Sequence, residues 1–251
     1  SNADLEFEDA IDKDGQAYPL TQGTFIKYLE SDDRELRASA FRNVYKAYGA
    51  HNNTLGATLA GEVKKNVFNA RTHHYRSARE RALSNNHIPE AVYDNLIKTV
   101  HKYLPLLHRY TKLRQELLGL DDLKMYDLYT PLVKDVKFEM PYEEAKSWML
   151  KALEPMGEEY LNVVKEGLDN RWVDVYENKG KRSGGYSSGG HLTNPFILLN
   201  WSDTVSDLYT LVHEFGHSAH SYFSRQNQPS NLSDYTIFVA EVASTCNEAL
   251  L

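Results

Sequence analysis

Apolar positions recur every three to four residues along most of this chain, a spacing that predicts helices and few strands. Residues 4–20 differ: Leu5-Glu6-Phe7-Glu8 alternates and Asp14-Gly15 is a turn signal, so a short hairpin is expected. A short helix is predicted over 24–30. Asp32-Asp33 then caps a helix reaching about Ala50, with Leu36, Phe41, Val44 and Tyr45 on its apolar side. One long pattern over 53–83 carries Leu55, Leu59, Val63, Val67, Phe68 and Tyr75. His87-Ile88-Pro89-Glu90 opens another helix with Pro89 at its first position, and Val92, Leu96, Ile97 and Val100 share its face. Pro105 is expected to break or kink that path before helix resumes to about Leu118.

The texture changes over 121–132, which reads as a connection into the second half. Pro141 opens a helix to about Glu154, Pro155 interrupts it, and the pattern resumes over 157–167. Residues 172–176 alternate as a strand, and 195–200 read as a buried strand. Between them lies GKRSGGYSSGG, residues 180–190. It lacks the order of a phosphate-binding loop. Two readings stay open: a flexible loop, or a strand edge whose glycines let a peptide backbone approach closely.

The chain's chemistry concentrates in LYTLVHEFGHSAHSYF, residues 208–223. Leu208, Leu211, Val212 and Phe215 supply one apolar helix face, and Ser202-Asp203-Thr204 offers an N-cap. His213-Glu214-Phe215-Gly216-His217 is an H-E-x-x-H pattern. Residues four apart on a helix lie within about 40° of one another, so His213 and His217 can hold one metal ion. Such a pair suits a catalytic zinc, with Glu214 placed to take a proton from the attacking water. Gly216 lowers helix stability by about 1 kcal/mol relative to Ala, so a packing reason is expected.

A polar loop with Pro229 leads to a second helix, capped by Ser233 or Asp234. Glu241 is the single acidic residue in its apolar first half, among Phe238, Val239, Val242 and Ala243. Burying a carboxylate there calls for a charge partner, which a metal on His213 and His217 would provide. Glu241 is therefore the third candidate ligand. His220, one turn beyond His217, is a candidate for orienting a ligand or touching substrate. Glu248, seven residues after Glu241, is placed to accept a hydrogen bond from a ligand imidazole.

Composition narrows the picture. A formal net charge of −7 argues against nucleic acid as a partner. The single Cys246 excludes an intramolecular disulfide and lies about 140° around the helix from Glu241, so it is not read as a ligand. His73-His74, between Arg71 and Arg76, reads as a solvated basic face. Ser1-Asn2-Ala3 reads as a remnant of an expression tag. With no leader and no apolar run of membrane-spanning length, a soluble protein with no membrane partner is expected.

HEFGHSAH, the later Glu of FVAEVASTCNEALL, GKRSGGYSSGG, PFILLNW and YDLY together resemble the M3 family of zinc metallopeptidases, most nearly bacterial oligoendopeptidase F. The resemblance implies a mainly α fold of the thimet oligopeptidase and neurolysin type, with helical-bundle-like packing and a small β-sheet beside the zinc helix. It implies one Zn²⁺ per chain on His213, His217 and Glu241, with Glu214 as general base. Short peptides are the implied substrates, lying extended along the small sheet, with Tyr186 and His191 as weaker contact candidates. Residues 4–130 are expected to form a helical domain and 131–251 a catalytic region. A cytoplasmic metalloendopeptidase is the leading reading; a peptidyl-dipeptidase-like carboxypeptidase and a non-catalytic helical binding module stay open. The family's polypeptide continues past the position of Leu251 with groups that stabilise the oxyanion, so this stretch alone is expected to cleave slowly or not at all. Oligomeric state is not legible in the sequence.

Overall fold

The computed structural model describes residues 5–133 and 139–251; the tag remnant expected at 1–3 lies outside them. Among the described residues the fold is mainly helical with two small sheets. Its residues group into two compact units. One comprises the described residues of 7–20 and 28–134; the other comprises those of 1–6, 21–27 and 135–251. Among the described residues no helix is long and apolar enough to cross a membrane.

In the first unit, β1 (Ala10–Ile11) and β2 (Ala17–Tyr18) form an antiparallel hairpin. Its turn is closed by Asp12, whose Oδ1 accepts from the Asp14 and Gln16 N–H groups at 3.0 and 2.8 Å. Gly15 sits at φ +82°, a conformation that disfavours a side chain. Strand pairing begins at Ala10, later than the 5–8 alternation suggested. There Ala10 is fully buried and the Ile11 N–H bonds Ser39 Oγ at 2.6 Å. A short helix, α1 (Thr24–Leu29), spans the boundary between the two residue sets.

Asp33 caps α2 (Arg34–Ala50), accepting from the Glu35 and Leu36 N–H groups. The long pattern over 53–83 resolves into two helices, α3 (Asn52–Thr72) and α4 (Ala78–Ser84). They separate where His74 takes φ +61°, and Ser77 caps the second. Pro89 occupies the N-cap of α5 (Glu90–Leu117), one position earlier than expected. Of the break or kink expected at Pro105, the break does not occur: α5 runs through it as one helix. The missing N–H withdraws one bond, from the carbonyl of His101, and that residue is exposed and can be met by water.

The apolar stripes of α3 and α5 lie exposed. Leu59, Phe68 and Leu96 are 67%, 66% and 60% exposed, and Tyr45 on α2 is also exposed. Periodicity specifies which residues share a face; it does not specify what covers that face.

The first unit has a polar node. Asp127, fully buried in a short 3-10 turn (Met125–Asp127), takes Arg37 Nη2 at 2.8 Å and Arg34 Nη2 at 3.0 Å. The Lys124 N–H adds a bond at 2.9 Å. Arg114, from α5, donates to the carbonyls of Asp127 and Thr130 at 3.1 and 2.6 Å. Burial pushes the Asp127 carboxyl up, but the Arg34 and Arg37 bonds outweigh it and hold the group below the usual aspartate range.

The second unit packs around one core. α6 (Tyr142–Ala152) and α7 (Glu158–Asp169) lie with a three-stranded sheet of order β3-β5-β4. In it, β3 (Val173–Asp174) is parallel to the central β5 (Phe196–Leu198), and β4 (Tyr186–Ser188) is antiparallel to it. Met149, Leu153, Val164, Ile197, Leu211, Val212 and Phe215 form the buried centre. β5 is buried on one face only; Phe196 on the other is half exposed.

α8 (Val205–Asn227) starts at a capping box. Thr204 Oγ1 accepts from the Asp207 N–H at 3.1 Å, and Asp207 Oδ2 accepts from the Thr204 N–H at 2.9 Å. α9 (Ile237–Leu250) begins after Thr236, without the side-chain cap expected from Ser233 or Asp234. Ser233 Oγ is instead engaged with the Ser230 carbonyl. α8 and α9 meet at Gly216, where a Cβ would lie 2.7 Å from Ser244 Cα and 2.8 Å from the Ala243 carbonyl oxygen. Only hydrogen fits there. Fully buried Asn247 bonds the pair, donating to the Val212 carbonyl at 3.1 Å and accepting from Tyr160 at 2.9 Å.

Two outcomes are expected. Asp127→Asn should lower stability by roughly 3–5 kcal/mol, because it strands Arg37 in a dry site. The Asp127 contribution is present above the unfolded aspartate pKa of about 3.9 and lost as pH falls through the lower folded value. Urea unfolding of both proteins at pH 7 and below pH 4 should show the gap narrowing in acid. Gly216→Ala should be destabilising by about 1–3 kcal/mol despite alanine's better helix propensity, since the backbone of α9 must move. A thermal midpoint equal to or above the parent's would contradict the close contact.

Candidate metal centre

Helical spacing and the α8–α9 contact together bring three donor atoms to one point. His213 Nε2 and His217 Nε2 lie 3.0 Å apart. Glu241 Oε2 lies 3.5 Å from the first and 3.7 Å from the second. An ion at about 2.0–2.2 Å from each atom fits a triangle of these dimensions. Two imidazoles and a carboxylate are also the donor set that catalytic zinc takes when a position is left for water.

The hydrogen bond on the His213 ring favours this use. His213 Nδ1 is 2.5 Å from Glu248 Oε1. The His213 ring thus donates its proton away from the centre, which leaves its Nε2 lone pair facing His217 Nε2. Burial, and then the neighbouring His213, hold the His217 pKa down, which favours the neutral ring that a metal needs.

Glu241 is beside the imidazoles, but not for the reason its sequence context suggested. Its side chain is 46% exposed, and Phe238, Val239 and Val242 around it are exposed as well. Ser244 Oγ, one turn on, donates to Glu241 Oε2 at 2.8 Å and steadies the carboxylate.

Glu214 follows His213 on the same turn of α8. It is buried, and its Oε2 has no hydrogen-bond partner among the described residues. Burial raises its pKa, partly opposed by His213. A buried carboxylate with an unpaired oxygen can act as a base.

The remaining candidates are placed less centrally. His220 stacks on Tyr235 with ring centroids 3.8 Å apart, and burial lowers its pKa. It is not among the metal-competent atoms; among the described residues that group contains His213, His217 and Glu241. Tyr186 is half exposed on β4, and its side chain leaves the strand on the face opposite to Ser187. His191 is exposed in a turn after β4. His73 bonds the Asn69 carbonyl at the end of α3, and Cys246 is exposed.

Sequence reading missed Ser187, Ser244 and Asn247. Their signal was faint: small polar residues amid apolar or glycine-rich stretches, which most often mark caps and turns. It also left the 180–190 segment undecided. The structure makes its middle a strand and explains its small residues by contact with α8. A Cβ on Gly185 would lie 2.7 Å from Thr210 Cγ2, and Ser187 Oγ is 2.8 Å from Ser218 Oγ.

Known proteins match this chain over most of its length. Residues 27–251 match Peptidase family M3. Oligopeptidase PepF of Bacillus subtilis is 61% identical over 251 residues, all of this chain and 38% of that protein. Group B oligopeptidase PepB of Streptococcus agalactiae is 52% identical over 250 residues, covering 41% of its length. The crystal structure of oligoendopeptidase-F from Enterococcus faecium superposes with a TM-score of 0.60 at 41% identity, over 99% of this chain and 37% of that one. The chain therefore spans about two fifths of the length of these relatives. With the match covering nearly all of its residues, the chain belongs to peptidase family M3.

Proposed function

We propose that this chain carries the catalytic region of a zinc-dependent metalloendopeptidase that hydrolyses short peptides. The observation that carries the reading is the triangle of His213 Nε2, His217 Nε2 and Glu241 Oε2, with the buried Glu214 carboxylate on the same helix turn. His213, His217 and Glu241 would hold one Zn²⁺ per chain. When bound, that ion would polarise a scissile carbonyl and make water acidic enough to deprotonate near neutral pH.

The chain's own residues supply the rest. Glu248 fixes the His213 ring so that its Nε2 faces inward. Glu214 takes the proton from the attacking water at its free oxygen and returns it to the departing amine. Burial suits it to both transfers, since a raised pKa lies nearer that of its partners. Residues 131–251 are read as the catalytic region and 4–130 as a helical domain. Oligopeptide substrates follow from the relatives' names, and the cytoplasm is the compartment in which we expect them to be met.

Metal analysis tests the centre directly. The protein should hold about one zinc per chain. His217→Ala should lower affinity by more than about 100-fold, beyond the usual effect of groups that only orient a ligand, whereas His73→Ala should leave it unchanged. Equal retention by both variants would rule the site out. Catalysis is tested in the full-length polypeptide with peptides blocked at both ends, which an endopeptidase cleaves and a dipeptidyl carboxypeptidase does not. Glu214→Gln should keep zinc and lose at least about 10²–10⁴ in turnover. A zinc-loaded Gln variant with near-parental turnover would require another base.

A further inference from the structure

Apart from the candidate centre, the second unit holds a cavity of about 180 Å³, and none of His213, His217 and Glu241 lines it. Its walls come from the start of α8, the residues flanking β4 and β5, and the segment 22–27. Gly184 borders it at φ +86°, where a Cβ would meet nothing within 4 Å. Gly185 closes the side towards α8, since a Cβ there would lie 2.7 Å from Thr210 Cγ2. Asn200 Nδ2 holds this stretch by donating to the Arg182 and Gly184 carbonyls, both at 2.8 Å. Leu199 and Trp201 are buried at its border, and half-buried Ile26 of α1 adds a third apolar wall. The Trp201 ring is fixed, because Nε1 donates to Asp203 Oδ1 and the Met140 carbonyl at 3.0 and 3.2 Å.

Charges of both signs stand around the cavity. Lys27 is exposed and donates to the Ser202 carbonyl at 3.3 Å. Asp207 Oδ2 is taken up by the N–H and hydroxyl groups of Ser202 and Thr204, at 2.8–3.0 Å. Glu177 lies against Gly23 and accepts from Thr21 Oγ1 at 3.0 Å. A charged guest of either sign would meet a like charge and give up its water. An aliphatic guest gains by leaving water, and apolar walls with a few polar groups are the usual make-up of a small binding site. The volume is that of about six molecules of liquid water, enough for one side chain.

The cavity also lies at a defined reach from the candidate centre. Thr210 precedes Glu214 by four residues, which is about 6 Å along α8. Gly184 and Gly185 lead directly into β4, the outer strand of the small sheet. A peptide extended along β4 advances about 3.4 Å per residue. From a bond cleaved beside Glu214, the cavity is therefore two or three residues away.

We propose that this cavity is a substrate subsite for an uncharged aliphatic side chain two or three residues from the cleaved bond. The proposal rests on the peptidase reading and gives it a substrate preference.

The test uses the full-length, zinc-loaded protein and fluorogenic peptides blocked at both ends, with Leu, Phe, Ala, Asp or Lys placed in turn at each position around the cleaved bond. At one position two or three residues away, Leu should exceed Ala by about 10- to 30-fold in kcat/KM, the return of a partly open apolar site. Asp and Lys should both fall below Ala there. Ile26→Phe fills the cavity and should cut the Leu-to-Ala ratio to below about threefold, whereas Ile26→Ala enlarges it and should move the preference from Leu to Phe. A merely structural role for Ile26 would not move the preference in opposite senses. The same ranking should appear in the binding of labelled blocked peptides to the metal-free protein, followed by fluorescence anisotropy. Equal rates across the series, a preference for Asp or Lys, or a Leu preference untouched by either Ile26 variant would overturn the proposal. If one variant fails to fold, the other decides. Absence of cleavage by the zinc-loaded parent would refute the peptidase reading instead, and the anisotropy ranking of Leu against Asp would still judge the cavity.

Discussion

The closeness of α8 and α9 at Gly216 is the constraint on which the site depends. A Cβ there would lie 2.7 Å from the backbone of Ser244, so any other residue forces the helices apart. The same contact sets the reach from Glu241 Oε2 to the two imidazoles, at 3.5 and 3.7 Å, and from Glu248 to His213, at 2.5 Å. Carboxylates reach only a few ångströms, and a metal's tolerance in ligand distance is a few tenths of one. The helix propensity given up at Gly216, about 1 kcal/mol, is small beside that requirement. Asn247 reinforces the contact by taking a carbonyl of α8 into a hydrogen bond at full burial.

On the other side of α8, the sheet meets the helix through small residues. Positions 185, 187 and 189 are Gly, Ser and Gly, and two of them leave no room for a larger side chain. The intervening Tyr186 and Ser188 project from the opposite face, as strand alternation requires. The helix is thus gripped between two close approaches. One places a carboxylate beside the histidines; the other places a strand beside Thr210 and Ser218. Neither uses bulky packing at the point of contact, because the polar groups must come near enough to bond.

Much of α8 was legible because independent signals coincide in it. The cap at Thr204, the apolar face of Leu208, Leu211, Val212 and Phe215, and the His213–His217 spacing all specify one helix with one orientation. Gly216 was legible as a packing position because it opposes helix propensity. Glu241 was reached through a mistaken premise. An acidic residue in an apolar run looked buried, yet the run itself is exposed, and only the helix contact brings the carboxylate to the histidines. The stripes of α3 and α5 are exposed as well, since a pattern of apolar residues does not contain its own cover. Pro105 and the strand at 186–188 were illegible for a different reason: their outcome turns on a single hydrogen bond or a single close approach, below the scale that periodicity reports.

One helix supplies Glu241 and, two turns later, Glu248, so α9 delivers both a candidate ligand and the group that orients another. The docking of α9 and the affinity of the centre are then linked functions in the thermodynamic sense. Free energy gained by a cation at the centre is free energy holding α9 against α8. Conversely, whatever frays α9 removes two contributions to the centre at once. Occupancy should fall steeply with fraying, not in proportion to it, and the centre would act as a reporter of whether its own scaffold is intact.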